Sequence, residues 1–157
     1  MMKGNQKVIT ALNGLLGWEL AAMDQYFIHS RMYDDWGLQK LFERIDHEFD
    51  DEKGHAAALI ERMLFLDGVP DMVTRPAINI GQTVPEMLNS DLQVEYKVGQ
   101  ALKEAIKICE EEQDYHSREI LEKLLEDTEV DHAWWLEKQL GLIEKIGLPN
   151  YIQSQMG

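Results

Sequence analysis

The sequence predicts an all-α protein: a four-helix bundle with one long crossover between helices 2 and 3 and a short fifth helix at the C-terminus. Three observations predict it. Apolar residues recur at steps of three and four over residues 6–35, 38–66, 84–112 and 114–145, stretches rich in the helix formers Leu, Glu, Lys and Ala. Strand-like alternation is absent. The connections run short, long, short, the order of a bundle with a single crossover.

In the first helix Leu12, Leu15, Leu16 and Met23 form the apolar stripe, and Glu19 interrupts it. The second, within IDHEFDDEKGHAAALIERMLFL, has a stripe through Ile45, Phe49, Ala56, Leu59, Met63 and Leu66 that includes Glu52, with His55 one turn on toward the same side. The segment LDGVPDMVTRPAINIGQTVPEM holds three of the four prolines and two glycines, too long for a tight turn and suited to a crossover along the bundle. The third helix sets Leu88, Leu92, Val98 and Leu102 around Glu95; the fourth sets Leu121, Leu125, Leu136 and Leu140 around Glu129 and His132. After Gly147, Pro149 is placed to open a short helix over LPNYIQSQM. The expectation is one domain over residues 1–157.

Composition narrows the function. With 45% apolar and 28% charged residues the chain is ordinary globular material, and a net charge of −14 argues against nucleic acid and anionic membranes and in favour of cations. A single cysteine, Cys109, staples nothing and reads as a small buried hydrophobe in a reducing compartment. Asn13, Gly14 and Glu19 break the apolar run a signal peptide needs, and no run reaches membrane-spanning length. A cytoplasmic protein is expected.

Every helix therefore carries one acid on its core stripe. Glu19 precedes the Glu52/His55 pair by 33 residues and Glu95 precedes Glu129/His132 by 34, so the halves read as a repeat. A lone E-x-x-H is weak evidence in a chain with 17 glutamates, where it is usually a solvated intrahelical pair. Four carboxylates, one per helix and matched between halves, are not explained that way. Converging unpaired in a core they would cost several kcal/mol each, roughly, and two divalent cations would compensate them. The mixed N/O donor set suits iron better than calcium or thiolate-seeking metals, with zinc and manganese left open.

One Glu on each of two helices and Glu-x-x-His on each of the other two is the ferritin-like di-iron pattern. The chain resembles the bacterioferritins nearly end to end, through GWELAAMDQYFIHSRMYDDWGL, HEFDDEKGHAAALIERMLFLDG, INIGQTVPEML, SDLQVEY, DTEVDHAWWLE and NYIQSQ. The resemblance implies a ferroxidase centre with Glu19, Glu52 and His55 on one iron, Glu95, Glu129 and His132 on the other, and Glu52 and Glu129 bridging. It implies oxidation of Fe2+ by O2 or H2O2 and storage of ferric mineral in a hollow shell of twenty-four subunits built from dimers. A di-iron oxygenase or peroxidase without storage is the alternative.

His47 and Asp51 match an inner-surface iron site in that family, although such a pair is as readily a solvated one. Tyr26 reads either as packing or as an electron donor, and Trp36, Trp134 and Trp135 as core or interface anchors, with an electron relay as the other use. Asn150 and Gln153 match residues of a four-fold pore. Ala57, Ile60 and Leu64 widen the apolar face of helix 2, where subunits are expected to pair. Bacterioferritins carry a haem-ligating methionine directly after the bridging glutamate; here that residue is Lys53, whose protonated amine has no lone pair for iron. Little or no haem b is expected in a homomeric shell, and a mixed shell with a haem-binding partner subunit stays open.

Overall fold

The computed structural model describes residues 4–157. Helix α1 spans Gln6–Asp35, α2 Gln39–Phe65, α3 Val84–Glu111 and α4 Tyr115–Glu126; a π-helical segment, Asp127–Ala133, then leads into α5, Trp134–Ile146, and α6 is Leu148–Ser154. Together α4, the π segment and α5 form the bundle's fourth helix, so the expected bundle with its C-terminal helix is present. No strand occurs among the described residues, and no described helix is long and apolar enough to cross a membrane.

Local chemistry sets the boundaries. The Asn5 side chain accepts from the Lys7 amide at 2.8 Å and starts α1. Thr83 caps α3, accepting from the Glu86 amide at 3.3 Å, while Glu86 accepts from the Gln82 amide at 2.9 Å, a reciprocal cap with Pro85 in the first turn. Asp114 caps α4 through the Ser117 amide at 3.0 Å. Gly147, at φ 83°, ends α5, and Pro149 follows in the first turn of α6 as expected.

Helix α1 packs on α2 and α3, and α3 packs on the fourth helix. The crossover runs along α1: Asn13 donates to the Val69 carbonyl and accepts from the Asp71 amide, and the Gly81 amide donates to His29 Nε2 at 3.1 Å. Gly17 permits the approach, since a Cβ there would stand 2.8 Å from the Thr74 carbonyl oxygen.

The core is split. One apolar half gathers Leu12, Leu16, Leu59, Leu102 and Leu121, with Cys109 buried as expected; the other gathers Tyr33, Ile45, Leu88, Leu136 and Tyr151. Between them lies a polar layer containing Glu19, Glu48, Glu52, His55, Glu95, Thr128 and His132, all buried. Trp36 and Trp134 are exposed, with Lys138 over the Trp134 ring, whereas half-buried Trp135 packs against the second apolar half and lies under Arg44.

Candidate metal centre

Five of the six expected ligands converge. Glu19 comes from α1, Glu52 and His55 from α2, Glu95 from α3 and His132 from the π segment. His55 Nδ1 lies 2.8 Å from Glu19 Oε2 and 3.4 Å from Glu52 Oε2. His132 Nδ1 lies 2.9 Å from Glu52 Oε1 and 3.3 Å from Glu95 Oε1. The donor atoms of Glu19, Glu52 and His55 fall within 4.8 Å of one another, as do those of Glu52, Glu95 and His132, so Glu52 is common to both sets. The imidazoles stack with centroids 5.9 Å apart.

The outer nitrogens face a second ring of acids. His55 Nε2 is 2.7 Å from Asp127 Oδ2; His132 Nε2 is 3.1 Å from Asp51 Oδ2 and contacts Glu48. Metal-ligating histidines commonly give their other N–H to a carboxylate, which fixes the tautomer and the ring plane. The arrangement presents Nδ1 inward on both rings. Glu48 and Asp127 were not foreseen. Glu48 was nonetheless readable, because it lies three residues after Ile45 and four before Glu52, on the same face.

Glu129 stands elsewhere. Its side chain is 47% exposed and its Oε2 pairs with Lys103 Nζ at 2.9 Å, so it stands off the buried stripe on which the sequence pattern places it. The π segment gives the reason. An i→i+5 helix takes between four and five residues per turn, so residues four apart share a face better than residues three apart. The buried positions run Leu121, Leu124, Thr128, His132, Leu136, with Thr128 where Glu129 was expected.

His47 and Asp51 are only loosely partnered, at 3.7 Å, and His47 is exposed. Asp51 turns instead to His132, joining Glu48 and Asp131 in a separate acidic group. Arg44 closes that group, with Nε 2.5 Å from Glu48 and Nη2 2.9 Å from Asp131. Tyr26 is buried and donates to Glu95. Lys53 is exposed, as are Asn150 and Gln153, with Asn150 donating to the Ile146 carbonyl at 2.7 Å.

Burial and charge make the layer unusual. Burial pushes the Glu19 carboxyl well above its ordinary range, and the neighbouring Glu52 charge adds to this. Burial and Glu52 together lift Glu95 to about 8, against opposing contacts from His132 and Tyr26. Glu52 also suffers burial, yet the imidazoles on both sides outweigh it and hold the carboxyl well below the usual range. Burial disfavours a charged His55, but Glu19 and Glu52 raise it to about 11; for His132, Glu48, Glu52 and Glu95 do the same and carry it above the histidine range. The direction is consistent: in this geometry the histidines hold protons against Glu52.

Whether the residues suit a cation can be judged from the carboxylates themselves. Glu19 Oε1, both oxygens of Glu52 and Glu95 Oε2 are buried without an aligned hydrogen bond. Buried carboxylate oxygens are rarely left so, and cations are what would satisfy several at once. With two imidazole nitrogens this is a mixed N/O set that suits iron.

A ferritin-like domain model matches residues 9–146. The chain is 64% identical over 155 residues to a bacterial ferritin from Synechocystis sp., covering 99% of each chain. This is a ferritin-like protein of the bacterioferritin type. A bacterial ferritin of Pseudomonas aeruginosa is 56% identical over 156 residues, covering 99% of this chain and all of the relative, and a bacterioferritin of Mycobacterium avium is 41% identical over 150 residues, covering 96% and 94%. The split core consists of two apolar halves on either side of a layer of carboxylates and imidazoles that could hold metal ions.

Proposed function

We propose that the protein stores iron and oxidises it on entry. Ferrous iron is the substrate: one ion is held by Glu19 and His55, the other by Glu95 and His132, with Glu52 between them. Each pair of Fe2+ yields two electrons, which with two protons reduce O2 to H2O2, or H2O2 to two waters. The ferric product hydrolyses and collects inside a shell of twenty-four subunits assembled from dimers. The observation that carries this reading is the position of Glu52, within reach of both imidazole–carboxylate sets. The relatives' names support iron storage, and an N/O ligand set with open positions supports redox chemistry with a small oxidant.

The chain's own residues have distinct parts in this. Glu52 keeps the two ions at one carboxylate's span, Asp127 and Glu48 orient the rings through Nε2, and Tyr26 fixes the Glu95 carboxyl. Lys53, exposed at the position of the family's haem-ligating methionine, gives a homomeric shell little or no haem b; a mixed shell with a methionine-bearing partner subunit is the alternative. The test is rapid-mixing absorbance of Fe2+ oxidation with Glu52→Ala. The fast phase, two Fe2+ per subunit in the unmodified protein, should disappear while assembly persists, since Ala suits a helix interior. An unchanged fast phase would contradict the assignment.

A further inference from the structure

Glu129 is the one member of the expected ligand set outside the pocket, and its surroundings are not those of an ordinary surface glutamate. It lines a cavity of about 350 Å³ between α3 and the π segment. Buried Glu95 lies at the inner end, Tyr96, Gly99 and Ala133 form walls, and the half-exposed Lys103–Glu129 pair stands at the rim. The cavity thus joins the solvent-side carboxylate to a carboxylate of the metal centre.

We propose that Lys103 is a latch on a mobile metal ligand: Glu129 exchanges across this cavity between the Lys103 ammonium and the divalent cations held by Glu52 and Glu95. The inference rests on the two-metal reading given above. Its physical basis is charge. Three carboxylates, Glu19, Glu52 and Glu95, already converge with only two imidazoles, and a fourth would add buried negative charge in excess of what two imidazoles can offset. At the rim the same carboxylate keeps both a lysine and water. Two divalent cations reverse the balance, because four carboxylates then match four positive charges. The exposed ion pair is weak enough to give way. Cavity space lies between the two positions, and the π segment sets Glu129 on its rim, one side of the face that carries His132. Bound cations and Lys103 therefore compete for one carboxylate, and the lysine loosens the site whose ligand it withholds.

Titration of the assembled protein with Co2+, followed by its visible d–d absorption and by calorimetry, tests this without turnover. The unmodified protein should bind two Co2+ per subunit at the centre. Lys103→Gln should tighten the weaker site by up to about fivefold, the size of an exposed ion pair, and Lys103→Arg should keep the original affinity. Glu129→Gln should weaken that site at least about tenfold and abolish the effect of Lys103→Gln. Unchanged affinity in Lys103→Gln, or a tightening that survives in the Glu129→Gln background, would overturn the latch and leave the two-metal reading intact. Fewer than two Co2+ per subunit in the unmodified protein would overturn that reading, and the latch with it.

Discussion

Glu52 and the two imidazoles beside it set the chemistry at the scale of single residues. His55 is raised from 6.5 to about 11, so it holds a proton throughout the neutral range. A metal must displace that proton before Nδ1 can bind. Since the folded value lies above the ordinary one, the stabilisation His55 gains from Glu19 and Glu52 is fully present below pH 6.5 and fades as pH rises toward 11. Metal affinity has the opposite trend. Affinity for Co2+ or Zn2+ should rise with pH above neutrality, with protons released on binding, read as a dependence of calorimetric heat on the buffer's ionisation enthalpy. Heats independent of the buffer would show that the rings bind metal already neutral. Much of this site was legible in the sequence, because an acid on a three-and-four stripe is carried into the core with its apolar neighbours; Glu129, where the π segment shifts the register, is the exception. Glu19, Glu52, Glu95, His55 and His132 are all buried. Glu48 was passed over in favour of Phe49, its neighbour, which is half-buried; adjacent residues compete for one stripe and the apolar one is the easier choice.

The elements themselves were the most readable part. The expected helices over 6–35, 38–66 and 84–112 differ from α1, α2 and α3 by at most a residue at any end, because long periodic runs flanked by Asn5, Gly37 and Thr83 leave little freedom. The fourth was read as one uniform helix over 114–145, and there the reading failed in a specific way. A π turn shifts the register by one residue, and Leu124 and Leu125, like Thr128 and Glu129, are neighbours that fit three-and-four spacing equally well. Hydrogen bonding in the backbone, not hydropathy, decides between them. Deleting Thr128 should remove the extra residue and leave a continuous α-helix, with Glu129 one turn before His132 on the buried face. A crystal structure of the variant checks this. A π segment that persists after the deletion would mean that side-chain packing, rather than residue count, imposes it.

For the molecule as a whole, the bundle leaves apolar side chains uncovered on α2: Leu64 is 57% and Phe65 56% exposed, beside exposed Ala57 and half-buried Ile60. Such patches mark interfaces. If subunits pair there in the proposed shell, Ile60→Glu should place a charge in the pair and shift the protein to smaller species on size exclusion, whereas an unchanged elution would move the pairing face elsewhere. The polar layer that divides the core would be a liability unless cations fill it. Anomalous diffraction at the iron edge from crystals soaked in Fe2+ shows whether they do. Two iron peaks per subunit are expected on either side of the Glu52 carboxylate, one beside His55 Nδ1 and one beside His132 Nδ1. A centre without iron, or iron confined to the outer group around Asp51 and Asp131, would contradict the two-metal reading.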